Sequence, residues 1–242
     1  MTVAAVQRRW GQKALRKLEA SITTARIPYI PTGFPALDQA LGIGGLAKGR
    51  VSELLGPATS GKTTLALKFL AQAQADGGSV GYVDHARFFD PDYAHRCGVD
   101  LSRLLIVSPY DLPEALAMTE ALVESSGLSA LVFDGQDALW NDADATQLFA
   151  AYLDRLAAPL ARSGTVALFL HAPLTTGSPG LSALAHHAAV RLRVVRERWL
   201  SRHGDIRGYE VKVEVLKNRL GPAGRAVTIT VEFNGTVRGN GL

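Results

Sequence analysis

The chain of 242 residues suits one large α/β domain with a short appendage, and its 47% hydrophobic content is ample for a core. Its formal net charge of +4 permits an anionic partner such as nucleic acid but does not require one. A single cysteine, Cys97, excludes an internal disulfide and is typical of a reducing cytosol. The sequence has no apolar run of about 18 residues and no secretory signal, so it predicts a cytoplasmic protein that does not cross a membrane.

The first predicted element is one amphipathic helix over residues 3–25, because apolar residues recur there at helical spacing beside a basic face. The apolar positions are Val3, Val6, Trp10, Leu15, Leu18 and Ile22, and the basic ones are Arg8, Arg9, Lys13, Arg16 and Lys17. Prolines within residues 27–31 then predict an extended linker. We therefore expect residues 1–31 to contact a neighbouring subunit or partner, to pack on their own domain, or to form a solvated arm, and residues 32–242 to form the core.

The core segment alternates strands with helices, which is typical of a buried, mainly parallel sheet covered on both faces. The predicted strands lie at 51–55, 79–84, 104–108, 130–134 and 165–171, and the predicted helices at 63–76, from 91, and at 113–125 and 145–162. Residues 190–200 and 209–217 alternate in polarity around Gly204-Asp205, which predicts an antiparallel hairpin followed by a strand at 227–233.

The segment between the first core strand and its helix fits the phosphate-loop pattern GxxxxGK[ST] in the context that the pattern requires. Backbone N–H groups of such a loop, together with the helix N-terminus, attract phosphate oxygens. The predicted nucleotide-binding residues are Gly56, Pro57, Ala58, Thr59, Ser60, Gly61, Lys62, Thr63 and Thr64. We expect Lys62 to reach the β and γ phosphates, and Thr63 and Asp134 to hold Mg²⁺. Taken alone, an aspartate after a buried strand is often only a helix cap, but the phosphate loop favours the metal role for Asp134.

The order of these pieces resembles that of RecA recombinases over residues 32–233. The resemblance is carried by TGFPALDQALG at 32–42, GGL at 44–46, the phosphate loop, DPDYA at 90–94, GVD at 98–100 and LKNR at 216–219. It implies a RecA-type P-loop NTPase core that binds ATP and Mg²⁺. It also implies that Tyr93 stacks on adenine, that Asp90 lies near the exocyclic amine, and that Lys217 and Arg219 reach the γ-phosphate of an adjoining subunit. A core tyrosine and a solvated strand end are the alternatives for these positions.

Two positions depart from the family pattern. The family's catalytic glutamate, which orients and deprotonates the attacking water, corresponds to Ala86, two residues after Asp84. The family's γ-phosphate-sensing glutamine corresponds to Ala172. Neither alanine has the required chemistry, although Asp137 or His85 remains open as a partial substitute. We therefore expect ATP hydrolysis to be weak or absent.

The segments that correspond to the family's DNA-binding loops are also altered. Residues 135–144 are short and acidic around Trp140, and residues 174–187 begin with a family-like Thr-Thr-Gly but contain no Lys or Arg. Both are expected to be surface loops that bind DNA poorly. Arginines gather instead on the predicted hairpin, where a nucleic-acid backbone, an acidic partner and a solvated face all stay open. They are Arg191, Arg193, Arg196, Arg198, Arg202 and Arg207.

These features, together with the expected absence of a counterpart of RecA's separate C-terminal domain, are most similar to those of ImuA-type RecA paralogues. The resemblance implies an ATP-binding accessory protein of the DNA-damage (SOS) response that supports error-prone translesion synthesis beside an inactive polymerase-like protein. The alternatives are an active DNA-dependent ATPase or minimal recombinase, and a regulator that binds RecA and limits its filaments. Single-stranded DNA and a second copy of the chain are further expected partners, whereas a membrane is not.

Overall fold

The architecture comes from a computed structural model that describes residues 3–11, 27–135, 142–173, 179–233 and 237–239. The described strands are β1 (Tyr29–Ile30), β2 (Leu46–Ala47), β3 (Val51–Leu55), β4 (Ser79–Asp84), β5 (Leu104–Val107), β6 (Leu128–Asp134), β7 (Val166–His171), β8 (Val190–Arg202), β9 (Asp205–Asn218), β10 (Ala226–Phe233) and β11 (Val237–Gly239). The described helices are α1 (Val3–Trp10), α2 (Pro35–Leu41), α3 (Lys62–Ala73), α4 (Pro91–Arg96), α5 (Leu112–Glu124), α6 (Ala143–Ser163) and α7 (Pro179–His187), with a 3₁₀ turn at Leu101–Arg103.

One sheet contains nine of the described strands, in the order β11-β10-β9-β8-β3-β7-β6-β4-β5. The six strands from β8 to β5 pair in parallel, whereas β8, β9, β10 and β11 pair antiparallel. This confirms the predicted RecA-type core with a mainly parallel sheet and an antiparallel C-terminal hairpin. Parallel pairing places the carboxyl ends of β3, β4, β6 and β7 on one edge of the sheet, which is where open α/β sheets bind ligands.

Helices cover both faces of the sheet because its inner strands are apolar on both sides. In β6, Ala130 and Val132 join a cluster with residues of α2, α3 and α4, whereas Leu131 and Phe133 join a second cluster with residues of α5, α6 and α7. The alternation follows from the two-residue period of a strand. Within the described part of the chain, no helix is long and apolar enough to cross a bilayer.

The N-terminal segment differs from its prediction. Helix α1 ends at Trp10, because Gly11 adopts a left-handed backbone conformation with φ +88°. A single helix over residues 3–25 is therefore wrong, and the apolar and basic positions from Lys13 to Ile22 lie outside the described residues. The extended segment pairs with the core, because β1 lies antiparallel to β2 and Ile30 is buried.

Two later predictions also need correction. The hairpin turns at His203-Gly204, where both residues have positive φ, and Asp205 already belongs to β9. The segment 174–187 is not wholly a loop, because its part from Pro179 onward forms α7. Helix α7 forms there because Leu184 is fully buried in the second cluster. The Thr-Thr-Gly at 175–177 lies outside the described residues.

Candidate nucleotide-binding site

The phosphate loop joins β3 to α3 at the ligand-binding edge of the sheet. A Cβ atom at Gly56 would collide with the backbone oxygen of Val194, so only glycine fits there. Thr59 and Gly61 have φ of +59° and +99°, which turns the chain sharply into the first residue of α3. The loop thus surrounds the N-terminus of α3, where unpaired N–H groups and the helix dipole favour an anion.

The polar side chains of this loop fit a phosphate group. The hydroxyl of Ser60 is buried and finds no hydrogen-bond partner among the described residues. Lys62 Nζ donates to the backbone oxygens of Gly56 and Pro57, the second at 3.0 Å, so its charge lies over the loop. A buried unsatisfied hydroxyl is costly, and a phosphate oxygen would satisfy it. The buried hydroxyl of Ser60 therefore favours a phosphate ligand at this site, independently of the sequence motif.

A cavity of about 270 Å³ opens beside the loop. The loop and the start of α3 form its polar side, and aromatic rings from α4 and the antiparallel strands form the opposite side. Its lining residues are Thr59, Ser60, Gly61, Lys62, Thr63, Thr64, Tyr93, Arg196, Trp199, Tyr209 and Phe233. A pocket that combines phosphate-binding groups with flat apolar rings suits a nucleotide.

The hydroxyl of Thr64 connects two of these rings, at 2.6 Å from the Tyr93 hydroxyl and 2.7 Å from that of Tyr209. Burial raises the pKa of both phenols, so they are neutral at pH 7. Tyr93 thus stands in the cavity where an adenine-stacking residue is expected. Asp90 instead accepts a hydrogen bond from Tyr93 N at 3.0 Å and caps α4, so its expected contact with the exocyclic amine stays a prediction.

The predicted metal ligands lie at the same edge. Asp134 ends β6 beside Asp84 of β4, and its Oδ2 accepts a 2.6 Å hydrogen bond from the buried hydroxyl of Tyr82. Burial and the nearby negative charge of Asp134 raise the pKa of Tyr82, which keeps this donor protonated. Asp134 and Thr63 would hold Mg²⁺ together with phosphate oxygens and water, as is usual for this ion. Tyr82 was missed because a tyrosine inside a strand carries no motif.

The positions expected to activate water also lie at this edge. Ala86 is buried, and its N–H donates to the backbone oxygen of Asp134 at 3.0 Å. Ala172 directly follows β7, whose last residue His171 accepts a bond from Gly56 N at 3.2 Å. His85 stacks on Phe133 at 6.3 Å, and burial followed by the charge of Arg87 lowers its pKa. The other open substitute, Asp137, lies outside the described residues.

A buried ion cluster that sequence reasoning missed ties three strands together below the loop. Glu53 of β3 is fully buried, and its carboxylate lies 2.8 Å from His171 Nε2 and 3.1 Å from Arg191 Nη2. Burial raises the pKa of Glu53, but the hydrogen bonds from His171 and Arg191 outweigh it and hold the pKa below its ordinary value. A glutamate inside the apolar strand VSELL was the available signal for a buried charge that needs partners.

This cluster makes stability depend on pH. We expect Glu53→Gln to lower the free energy of unfolding at pH 7 by about 2 kcal/mol, the order of a hydrogen bond to a charged group. Because the folded pKa is depressed, the contribution is full above about pH 4.3, the unfolded value, and is lost as pH falls through the folded pKa. Urea unfolding across pH measures it. The surface pair of Glu210 and Arg198 supplies the control Glu210→Gln, which should change the free energy of unfolding far less than Glu53→Gln does. Equal stability of wild type and Glu53→Gln at pH 7 would contradict this assignment.

The two cations expected to act across a subunit boundary contact α7 within the same chain. Lys217 Nζ donates to the backbone oxygens of Ala185 at 2.6 Å and His186 at 2.9 Å, and Arg219 Nη2 donates to that of His186. Burial, and then the charges of Arg219 and Arg191, lower the pKa of Lys217. Cations at a helix C-terminus stabilise its unpaired carbonyls. Their contact with a neighbouring nucleotide stays a prediction.

The hairpin arginines are mostly paired with acids. Arg191 binds Glu53, Arg193 binds Glu214, Arg198 binds Glu210 and Arg207 binds Asp205. Arg196 bonds to the phosphate loop instead, and Arg202 makes no ion pair with a described residue. Pairing with these acids lowers the net positive charge of this surface, so the structure offers a weaker basic face than the sequence suggested.

The end of segment 135–144, which corresponds to the family's first DNA-binding loop, belongs to the start of helix α6. Asp142 caps α6 by accepting a 2.8 Å bond from Ala145 N, and Asp144 lies in the first turn. Acidic residues at this end favourably oppose the positive end of the helix dipole. Asp142 and Asp144 therefore have a structural role, and the remainder, residues 136–141, lies outside the described part.

Known proteins match almost the whole chain. The family model of the RecA N-terminal domain matches residues 1–238. Protein RecA of Chloroflexus aurantiacus is 35% identical over 96% of this chain and 72% of its own length. Protein RecA of Brucella anthropi is 34% identical over 98% of this chain and 71% of its own length. Protein RecA of Bacillus subtilis is 33% identical over 96% of this chain and 73% of its own length. The matched region is thus wider than the residues 32–233 that carry the motifs.

Proposed function

Since the chain belongs to the RecA family, a family of DNA repair and recombination proteins, we propose that it binds ATP with Mg²⁺ as an accessory protein and hydrolyses it weakly or not at all. Support for nucleotide binding comes from the cavity beside the phosphate loop and from the unsatisfied hydroxyl of Ser60. Bound Mg²⁺ would offset phosphate charge, while Lys62 would bind the β and γ phosphates. Tyr93 would stack on the base.

The observation that carries the proposal is the contrast between an intact loop and the two alanines beside it. Ala86 and Ala172 lie at the carboxyl ends of β4 and β7, where a water-activating acid and a phosphate-sensing amide are expected. A methyl group can neither accept a proton nor orient water. The nucleotide is therefore a structural or switching ligand in this proposal.

The cellular role that fits these features best is an ImuA-like one in the cytoplasm. The protein would support translesion synthesis after DNA damage, alongside an inactive polymerase-like protein. The N-terminal segment 1–31 is the proposed contact for that partner or for a second copy, and Trp10 of α1 is more than half exposed. Arg202, on the outer part of the hairpin, is the proposed contact for single-stranded DNA or an acidic partner.

Two other functions each have an observation in their favour. An active DNA-dependent ATPase or minimal recombinase is favoured by the presence of Lys62, Thr63 and Asp134 together. A regulator that binds RecA is favoured by the sheet edge, because β5 is the edge strand of the described sheet and leaves Leu105 and Ile106 about half exposed. Exposed apolar edge strands are surfaces on which another chain can pair.

Steady-state ATP hydrolysis with and without single-stranded DNA separates the first two functions. We expect a low rate that DNA does not raise. Robust DNA-stimulated turnover that Lys62→Ala abolishes would instead establish the ATPase. The regulator hypothesis is tested by measuring RecA strand exchange with this protein added below and above the concentration of RecA. If strand exchange is not inhibited even when this protein is in excess, the regulator hypothesis is excluded.

A further inference from the structure

Strand β8 of the hairpin contributes two side chains to the nucleotide cavity that no motif assigns to it. Arg196 Nη1 donates to the backbone oxygen of Thr59 in the phosphate loop at 2.9 Å. Its guanidinium carbon lies 4.2 Å from the ring centroid of Trp199, in cation–π geometry. Trp199 in turn meets Tyr209 edge to face at 5.6 Å. A continuous set of contacts therefore runs from the loop, through Arg196 and Trp199, to Tyr209. The hydroxyl of Tyr209, like that of Tyr93, bonds to Thr64.

Arg196 differs from its neighbours along the same strand. Arg193 and Arg198 pair with Glu214 and Glu210 across the hairpin, and both lie outside the cavity. Arg196 makes its contact with a backbone carbonyl, which uses one of the five N–H donors of a guanidinium and leaves its charge uncompensated by that bond. An arginine held at the rim of a phosphate site in this way is suited to bind a phosphate oxygen.

Trp199 offers a partly exposed apolar ring beside the phosphate-binding groups. Its side chain lines the cavity, and the residue is 48% exposed although its ring packs against Arg196 and Tyr209. A large apolar ring that remains half exposed beside a phosphate loop has surface available to bury against a flat ligand. A nucleobase bound at the loop would supply that surface.

We propose that Arg196 and Trp199 clamp the bound nucleotide from the hairpin, with the indole ring contacting the base and the guanidinium contacting the phosphates. The ligand class is a purine nucleoside triphosphate. The proposal rests on nucleotide binding at the loop and reassigns Arg196 from a DNA or partner contact to the nucleotide.

Two ligands distinguish the base contact of Trp199 from the phosphate contact of Arg196. They are MgATP and the Mg²⁺ complex of inorganic triphosphate, and the second ligand has no base. Dissociation constants are measured by calorimetry for the wild type and for Trp199→Ala, Arg196→Gln and the matched control Arg198→Gln. We expect Trp199→Ala to weaken ATP binding about tenfold and to leave triphosphate binding unchanged, because triphosphate has no base for the indole to contact. Arg196→Gln should weaken both ligands about tenfold, and Arg198→Gln neither.

Tryptophan emission provides a second readout that survives if Trp199→Ala does not fold. MgATP should change the emission of the wild type, and Trp199→Phe should bind ATP within about threefold of the wild type while losing that change. Trp10 and Trp140 remain in this variant, so a persisting signal overturns the clamp. A loss of triphosphate binding in a folded Trp199→Ala also overturns the role of the indole in base contact.

The failure of the clamp is distinguishable from that of the proposed function. If the wild type binds no ATP, or if Lys62→Ala binds it equally well, nucleotide binding at the loop fails and the clamp fails with it. If binding depends on Lys62 but Trp199→Ala and Arg196→Gln behave like Arg198→Gln, the clamp alone is overturned.

Discussion

Lys62→Ala is expected to weaken the binding of MgATP by about a hundredfold. The substitution removes the ammonium group that now bonds to Gly56 O and Pro57 O and that would turn to the β and γ phosphates. Charge-assisted hydrogen bonds contribute about 1.5–3 kcal/mol each, and a loss of about 3 kcal/mol corresponds to this factor. Equilibrium dialysis against labelled ATP gives the dissociation constants directly.

The matched control removes another lysine of the same domain. Lys48 is exposed in the turn after β2 and does not line the cavity, so Lys48→Ala should bind ATP as the wild type does. Thermal melting without nucleotide should show both variants folded. If the two substitutions weaken binding equally, the effect reflects overall charge, and the phosphate loop is not the binding site.

Ala86→Glu is expected to raise the rate of ATP hydrolysis by about 10- to 100-fold, toward the lower end of what a positioned general base contributes. Ala86 lies in the turn that follows β4, and its N–H bonds to the backbone oxygen of Asp134. A carboxylate introduced there would supply the water-activating group that is expected at this position. Steady-state phosphate release measures the rate.

Ala86→Gln is the control, because it adds nearly the same volume without a basic oxygen. We expect it to leave the rate at the wild-type level. If the glutamate and glutamine variants both remain at that level, the missing acid is not the limiting factor, and the double variant Ala86→Glu with Ala172→Gln then tests the second altered position. A wild-type rate already as high as that of Ala86→Glu contradicts the assignment of Ala86 as the cause.

The sequence was sufficient to locate those parts of the candidate site that are local. The phosphate loop is contiguous and its conformation needs glycine at defined places, so spacing alone predicts its position. The position of Asp134 could be predicted because a run of apolar residues ends there and a parallel sheet brings such ends together, whereas its role as a metal ligand stays a prediction. The central strands were predictable for the same reason, since burial on both faces requires nearly continuous apolar segments.

The remaining parts depend on contacts between residues far apart in the chain. Arg196 meets Thr59 across 137 positions, and Tyr209 meets Thr64 across 145, so no local pattern relates them. The hairpin arginines looked like a basic surface because the acids that pair with Arg191, Arg193 and Arg198 stand on neighbouring strands. The end of α1 was missed because the apolar period continues past Gly11, whereas a single left-handed glycine is enough to stop a helix.

The fate of bound ATP tests the central claim most directly. The protein is loaded with ATP labelled on the γ-phosphate, freed of excess nucleotide and incubated with single-stranded DNA, and the bound nucleotide is then identified. We expect the bound nucleotide still to be ATP after a time in which an ordinary ATPase completes many turnovers. Conversion to ADP and released phosphate at such a rate, abolished by Lys62→Ala, would contradict it.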